Sequence, residues 1–589
     1  MLMKYEKVLN EILSADYLIK YGYYSIKKTR VVDIEDEYTS QESLYKIFNL
    51  EIFSALVNQL MPLNNEVIET EPIYFSIPKK DLVRRQLKFP NLYSYVQLVS
   101  YMEDNKFEFV NEFLINKFSS SKYFDSPHYK FEVTEKQKNK LLLAGNKVLH
   151  LDFSNFFHTL YTHSIPWMIM GKKVAKIDRK SGFANKLDRL IVCCQNGETH
   201  GIPTGNLASR IIAELFMCHF DKILANEGFK YSRYVDDISF AYTHDLQKEK
   251  FIEKINLLCR EYNLYLNSEK TKIEEFPQNK TRNKVIIFNY FDNVQLNKLT
   301  LKKQVQVLFD FIEICIDEES KGNKGALKLI FSGIERNLYN NNNLTKEMKT
   351  NILLHSDDLS NLSVFEVLLD LSLKKSELAN RFIDLCENIF SDCLSRKKAK
   401  KVIENYFNDN TEIIIQNLEF YVQNKFNQEM YQILLYIVLF DIKTSSLLKK
   451  NILRKFLKED IDDFSQCLLT IIYLKKGLKL EDLLTDINEI LEKSSQKITN
   501  QSRFSRQNWF FRYFIYFLIY EDIIPRKEVN KFLNTNKVKL KNGCFQSELD
   551  AEYILKQGNQ RNINDFYKNM LDNHVPILDC GIDNKFIYF

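Results

Sequence analysis

Apolar Ile238, Phe240 and Tyr242 alternate with Ser239 and Ala241. That is the two-residue period of a strand with one buried face. Just before it, Tyr231-Ser-Arg-Tyr-Val-Asp-Asp237 ends in two adjacent acids, so the segment predicts a β-hairpin with Asp236 and Asp237 at its tip. A second apolar run, Val148-Leu-His-Leu151, delivers Asp152 and leads into Phe153-Ser-Asn-Phe-Phe157. This order predicts a strand, an acid and a helix start, with Ser154 or Asn155 as cap. Tyr74-Phe-Ser-Ile-Pro-Lys-Lys-Asp-Leu-Val-Arg-Arg-Gln-Leu-Lys-Phe-Pro90 predicts a strand, a basic turn and a second strand closed by proline. Residues 1–60 read as mostly helical, with an acidic interruption at Asp33–Glu37.

Beyond Pro277 the pattern changes. No proline recurs before Pro525, and apolar residues fall at helical spacing, as in Met430–Phe440 and Cys467–Tyr473. Many packed helices and few strands are expected there, with stacked helix pairs the economical arrangement. The run Trp509–Tyr520 is the most apolar, but it is short and contains Arg512. It predicts a buried helix rather than a membrane span. The fold class expected is α+β, with strands confined to residues 1–290 and an all-α domain over 291–589.

Composition changes this picture little. A hydrophobic fraction of 45% over 589 residues supports a large core. The 82 Lys and Arg nearly balance 77 Asp and Glu, leaving +5. A nucleic-acid groove must therefore be a local feature. The ten cysteines include no Cys-x-x-Cys pair, and adjacent Cys193 and Cys194 are poorly placed for a mutual disulfide. Charge mixed through Met1–Ile19 argues against a secretory leader. A reduced, cytoplasmic protein with no membrane partner is expected.

The chemistry lies in the acids. Two carboxylates at one tight turn repel each other unless a cation lies beside them. Asp152, Asp236 and Asp237 together are suited to two magnesium ions, with manganese as a substitute, arranged for in-line attack on a nucleotide phosphate. Lys79, Lys80, Arg84 and Arg85 crowd the 74–90 hairpin, a composition that neutralises triphosphate oxygens. Gly201, Pro203 and Gly205 form a loop ahead of an amphipathic helix, where small residues permit close backbone approach. His158 and His163, five apart, share no helical face and are not read as zinc ligands. The run Arg396–Lys401 is read as a solvated helix face before a nucleic-acid path.

These segments resemble the reverse transcriptases. Asp152 stands in their first catalytic motif, and Tyr234-Val-Asp-Asp237 is similar to their catalytic hairpin. The resemblance implies that Arg85, five before Pro90, contacts the triphosphate, and that the Phe153 carbonyl joins the acids as a metal ligand. It implies that Phe157 screens the ribose 2′-hydroxyl, that Pro203, Thr204 and Gly205 lie against the nucleotide, and that Lys270 assists the leaving pyrophosphate. Thr204 stands where many templated members carry glutamine, which sets this chain apart from ordinary templated synthesis.

Leu160–Trp167, Gly201-Ile-Pro-Thr-Gly205, Gly322–Phe331, Phe426–Tyr436 and the aromatic run at Trp509 sharpen the likeness. They resemble the AbiK-like abortive-infection reverse transcriptases of bacteria. That family implies fingers and palm with an N-terminal helical extension over 1–290, and a HEAT-like helical-repeat domain replacing the thumb over 291–589. It implies untemplated, protein-primed DNA synthesis from deoxynucleoside triphosphates in phage defence. It also implies single-stranded DNA covalently attached to the protein, and a homo-oligomer, trimer or hexamer. Tyr38, in Glu37-Tyr-Thr-Ser-Gln-Glu-Ser, falls at the family's priming position, with Tyr45 and the Tyr21–Tyr24 group as alternatives. Two other readings remain: a conventional RNA-templated reverse transcriptase with a bound RNA, and an inactive helical binding scaffold.

Overall fold

The computed structural model describes residues 2–578 apart from 25–26, 31–36, 41–46, 63–65, 81–82, 123, 125–130, 144, 178, 277–284, 293, 357–361, 390–392, 444–446, 496–500 and 536–546. For residues 2–4, 27–30, 37–40, 80, 131–133, 285 and 388–389 the backbone alone is described. Eight strands are seen among these residues. β1 (Lys27–Arg30) and β2 (Glu37–Ser40) form one hairpin, and β3 (Ile73–Lys80) and β4 (Val83–Phe89) form a second. β5 (Lys147–Leu151), β6 (Ser232–Tyr234), β7 (Asp237–Tyr242) and β8 (Lys272–Glu275) form an antiparallel sheet in the order β6-β7-β5-β8.

The alternation at residues 238–242 has a direct structural cause. Helix Asp245–Tyr262 returns across the sheet, and its Phe251 ring stacks on Phe240 at 4.1 Å. Phe229 closes edge-on against Phe251 at 5.2 Å. Behind the hairpin runs helix Leu207–Asn226, capped by the Asn206 side chain, which accepts from the Ser209 N–H. The loop before it explains why Gly201 is glycine. Its φ is +77°, and an added Cβ would meet the His158 carbonyl oxygen at 2.7 Å.

Among the described residues no strand follows β8. Helices then pack on near neighbours: Leu301–Ser320 on Ala326–Ile334, and Asn427–Leu439 on Asp463–Lys475, which in turn meets Trp509–Tyr520. The fold is thus helix-rich α+β. The apolar core is continuous across residue 290. Phe464, from the helical half, packs on Phe48 at 4.9 Å and on Phe89 of β4 at 5.4 Å. A fully buried phenylalanine contributes roughly 1.5–3 kcal/mol, so this aromatic seam fixes the helices against the β3–β4 hairpin. Asn91 adds polar specificity, donating to the Phe504 carbonyl and accepting from the Tyr567 hydroxyl. Within Trp509–Tyr520, Arg512 is fully buried but paired, with Nη1 2.6 Å from Glu548 Oε2. Among the described residues no helix is long and apolar enough to cross a membrane, and no described cysteine is disulfide-bonded.

Candidate active site

Strand register brings the acids together. Leu151 of β5 pairs with Ile238 of β7, so Asp152 leaves β5 opposite Asp237. Burial, then the charge and close approach of the Asp152 carboxyl, raise the Asp237 carboxyl above its usual range. Burial and the Asp152 charge push Asp236 up to about 6. Asp152 itself is 5% exposed and takes Lys270 Nζ at 2.8 Å and Asn267 Nδ2 at 3.2 Å on the same oxygen. The Asn267 N–H also donates to the Asp152 carbonyl, and the Ser154 N–H to the Tyr265 carbonyl. These two bonds flank Phe153 and leave its carbonyl out of the ladder.

Lys270 is bonded to this group of three carboxylates, and the charge of Lys138 acts on Asp237 as well. Among the described residues no group of three or more His, Cys, Asp and Glu side chains closes into a ready-made metal cage. The tight contact is the pair Asp152–Asp237, with Asp236 coupled to it through space. This donor set fits magnesium, which keeps waters and takes substrate phosphate oxygens beside one or two carboxylates. Burial first, and then the neighbouring Asp152 charge, raise these carboxyls, and a bound cation would offset both.

The acids lie in a cleft of about 810 Å³. The β3–β4 hairpin forms one wall, contributing Lys79 and Arg85. Lys79 Nζ is 3.4 Å from Asn155 Oδ1. His158, which lines the cleft from the short helix Phe156–Thr159, is held below its usual range by burial and then by the charges of Arg85, Lys88 and Lys79. That wall is thus positive and the floor negative, as a triphosphate joined to a metal requires. Phe157, half-buried, lines the cleft edge-on to Phe156 at 5.4 Å. Thr204 and Gly205 also line it. The Thr204 hydroxyl donates to the Gln86 carbonyl at 2.8 Å, and the Lys88 N–H to the Thr204 carbonyl at 2.8 Å.

Two expected nucleotide contacts are placed elsewhere. Successive residues of a strand face opposite sides, so Arg84 points away from Arg85. Its guanidinium binds Glu429 with both branches, at 2.8 and 2.6 Å, and lies 4.0 Å from the Phe426 ring centroid. Arg84 is therefore a tie to the helical half and not part of the cleft wall. Pro203 is buried and does not line the cleft, and its carbonyl accepts from Asn206 Nδ2. The Lys80 and Tyr38 side chains lie outside the described residues, as does Tyr45. The Tyr38 backbone pairs with Thr29 in the β1–β2 hairpin.

Sequence reasoning missed Asn267, Arg210 and the helical-half residues Lys328, Glu377 and Gln428, all of which line the cleft. Arg210 carried a signal, a cation in the first turn of the helix after Gly205. Tyr24 lines the cleft as well.

Residues 106–309 match the family model described as reverse transcriptase (RNA-dependent DNA polymerase). The chain carries a reverse transcriptase domain. The matched residues of this reverse transcriptase domain include all three acids, Phe157, Gly205 and Lys270, whereas Arg85 and Tyr38 precede them. Solved structures give weak likenesses. Telomerase from Candida albicans in complex with a telomeric RNA fragment aligns at 13% identity and TM-score 0.25, over 65% of this chain and 71% of that one. Apo telomerase from Candida tropicalis aligns at 13% identity and TM-score 0.28, over 82% and 76%. No curated protein matches the sequence significantly.

Proposed function

We propose that the chain is a template-independent, protein-primed DNA polymerase of the reverse-transcriptase class, acting in abortive defence against phage. The observation that carries the reading is the convergence of Asp152, Asp236 and Asp237 beneath a cationic wall in one cleft. Lys79 and Arg85 hold the β- and γ-phosphates, which places the α-phosphate over the acids. Magnesium or manganese held by the three acids and the Phe153 carbonyl supplies charge for the attacking oxygen and the leaving group. Lys270, whose bond to Asp152 keeps it protonated, donates to the departing pyrophosphate. Phe157 packs against the sugar.

In the first addition the Tyr38 phenol oxygen bonds to the α-phosphorus, the α–β phosphoanhydride breaks, and the phenol proton passes to solvent. Chain geometry supports that assignment. Tyr38 pairs with Thr29, five residues beyond Tyr24 on the cleft wall. At about 3.5 Å per residue plus one strand spacing, the Tyr38 backbone lies no more than about 23 Å from Tyr24. The helical half, read as HEAT-like repeats, stands in place of a thumb, and the active form is a cytoplasmic homo-oligomer.

Purified protein is expected to carry covalent DNA. Nuclease trimming and mass spectrometry should locate the stub on Tyr38, and Asp236→Asn should carry none. DNA on that variant, or a stub on another residue, overturns the corresponding part of the reading. The matched family's description as RNA-dependent favours one rival, an RNA-templated enzyme with a bound RNA. Product complementary to a co-purifying RNA would select it.

A further inference from the structure

We propose that Arg233, buried beneath the catalytic hairpin, is a positioning residue. It holds the hairpin apex, and with it Asp236 and Asp237, in a backbone conformation that the apex residue disfavours. This inference rests on the reading of those acids as the reacting centre.

The apex residue is Val235, with φ at +55°. A β-branched side chain is disfavoured in the left-handed region, which glycine and asparagine enter readily. Two bonds hold it there. The Val235 N–H donates to Ser121 Oγ at 3.1 Å, and Arg233 Nη1 donates to the Val235 carbonyl at 2.8 Å.

The guanidinium has no solvent contact, and each of its five N–H groups is committed. Nε binds Asp221 at 2.9 Å. Nη1 divides between Glu214 at 3.0 Å and the Val235 carbonyl. Nη2 divides between Glu214 at 2.9 Å and Asp221 at 2.7 Å. Glu214 and Asp221 are buried, two turns apart on helix Leu207–Asn226. Ser121 Oγ donates to Glu214 at 2.6 Å, so one carboxylate orients both partners of the apex. Tyr231 fixes Asp221 from the other side, with its hydroxyl at 2.5 Å. The fork thus links a rigid helix to the turn that carries the acids. Lysine, with three donors and no plane, cannot make the same set.

Arg233→Lys keeps the charge and loses the fork. Its kcat is expected to fall about 100-fold, the scale of a 1 Å misplacement, with nucleotide KM within about twofold. Mn2+ binding to the nucleotide-free protein, read by electron paramagnetic resonance, should weaken about tenfold. Adding Val235→Gly should recover at least about tenfold of the lost kcat and most of the Mn2+ affinity, because glycine holds positive φ unaided. The lost Tm should stay lost, since the buried acids remain underpaired. Ser121→Ala removes one apex partner only and covers the case in which Arg233→Lys fails to fold. About fivefold lower kcat is expected, again recovered by Val235→Gly. Wild-type kcat and Mn2+ affinity in either folded variant, or a loss that Val235→Gly does not rescue, overturns the proposal. A wild-type protein that binds Mn2+ but adds no nucleotide would overturn the polymerase reading instead, while Mn2+ affinity still tests Arg233.

Discussion

Asp236 and Asp237 lie only a few residues from Arg233, yet the hairpin joins two acidic clusters with opposite compensation. Burial pushes the Glu214 carboxyl up, but the charge and hydrogen bonds of Arg233 outweigh it and hold that group below its usual range. At Asp236, burial and a neighbouring carboxylate act in the same direction, and the group rises to about 6. The first cluster sets Arg233 and the buried Lys122 against Glu214 and Asp221, balances its charge internally and becomes framework. The second leaves its charge open toward a cleft, which suits a cation that arrives with substrate. Burial of an acid therefore does not distinguish scaffold from site; the location of the balancing charge does.

The largest expected contrast sets one cluster against the other. Asp152→Asn should lower nucleotide addition by at least about 10³-fold while leaving Tm unchanged or slightly raised, because one of three mutually repelling charges is gone. Glu214→Gln should cost about 3–5 kcal/mol in denaturant unfolding, because it breaks a buried pair. Equal stability losses in the two variants would erase the distinction.

The adjacent arginines of β4 sharpen it. Arg85→Ala should raise nucleotide KM about tenfold with stability within about 0.5 kcal/mol. Arg84→Ala should cost about 1–3 kcal/mol through Glu429 and leave KM nearly unchanged. Titration separates the clusters next. The Asp236 carboxyl keeps its proton to higher pH than in the unfolded chain, so its charged form is lost as pH falls through about 6. Mn2+ affinity should drop up to about tenfold per pH unit below that point. In the cation-free protein the same group makes stability decline as pH rises from about 4 to 6, since the unfolded chain releases that proton first. Asp236→Asn should flatten this decline. The smallest effect is expected at Gly205→Ala. There φ is +114° and an added Cβ would stand 3.3 Å from Leu87 Cβ, costing about 1–2 kcal/mol with a few-fold rise in KM.

The local part of this architecture was legible in the sequence. Strand alternation and two acid-bearing segments suffice to predict β5 and the β6–β7 hairpin, because period and turn chemistry act over a few residues; that the two converge is what the resemblance to the reverse transcriptases implies. The long-range part was not. Asn267 meets Asp152 across 115 residues of chain, and no local pattern announces such a return. Alternation in β4 could show that Arg84 and Arg85 face opposite sides, but not which side holds the cleft. Arg233 drew no reading from the sequence. Its partners left a signal, two acids seven apart among the buried positions of helix Leu207–Asn226. Tyr38 rests on the family resemblance and on tether length, since its side chain lies outside the described residues.

The β3–β4 hairpin is stitched on both margins, to Thr204 on one side and to Glu429 and Phe426 on the other. A jaw hinged to swing with each incoming nucleotide would have to tear both seams at every cycle. The grip is better pictured as a fixed die, its shape set once when the chain folds. On the polymerase reading proposed above, nucleotide entry then requires no swing of this hairpin.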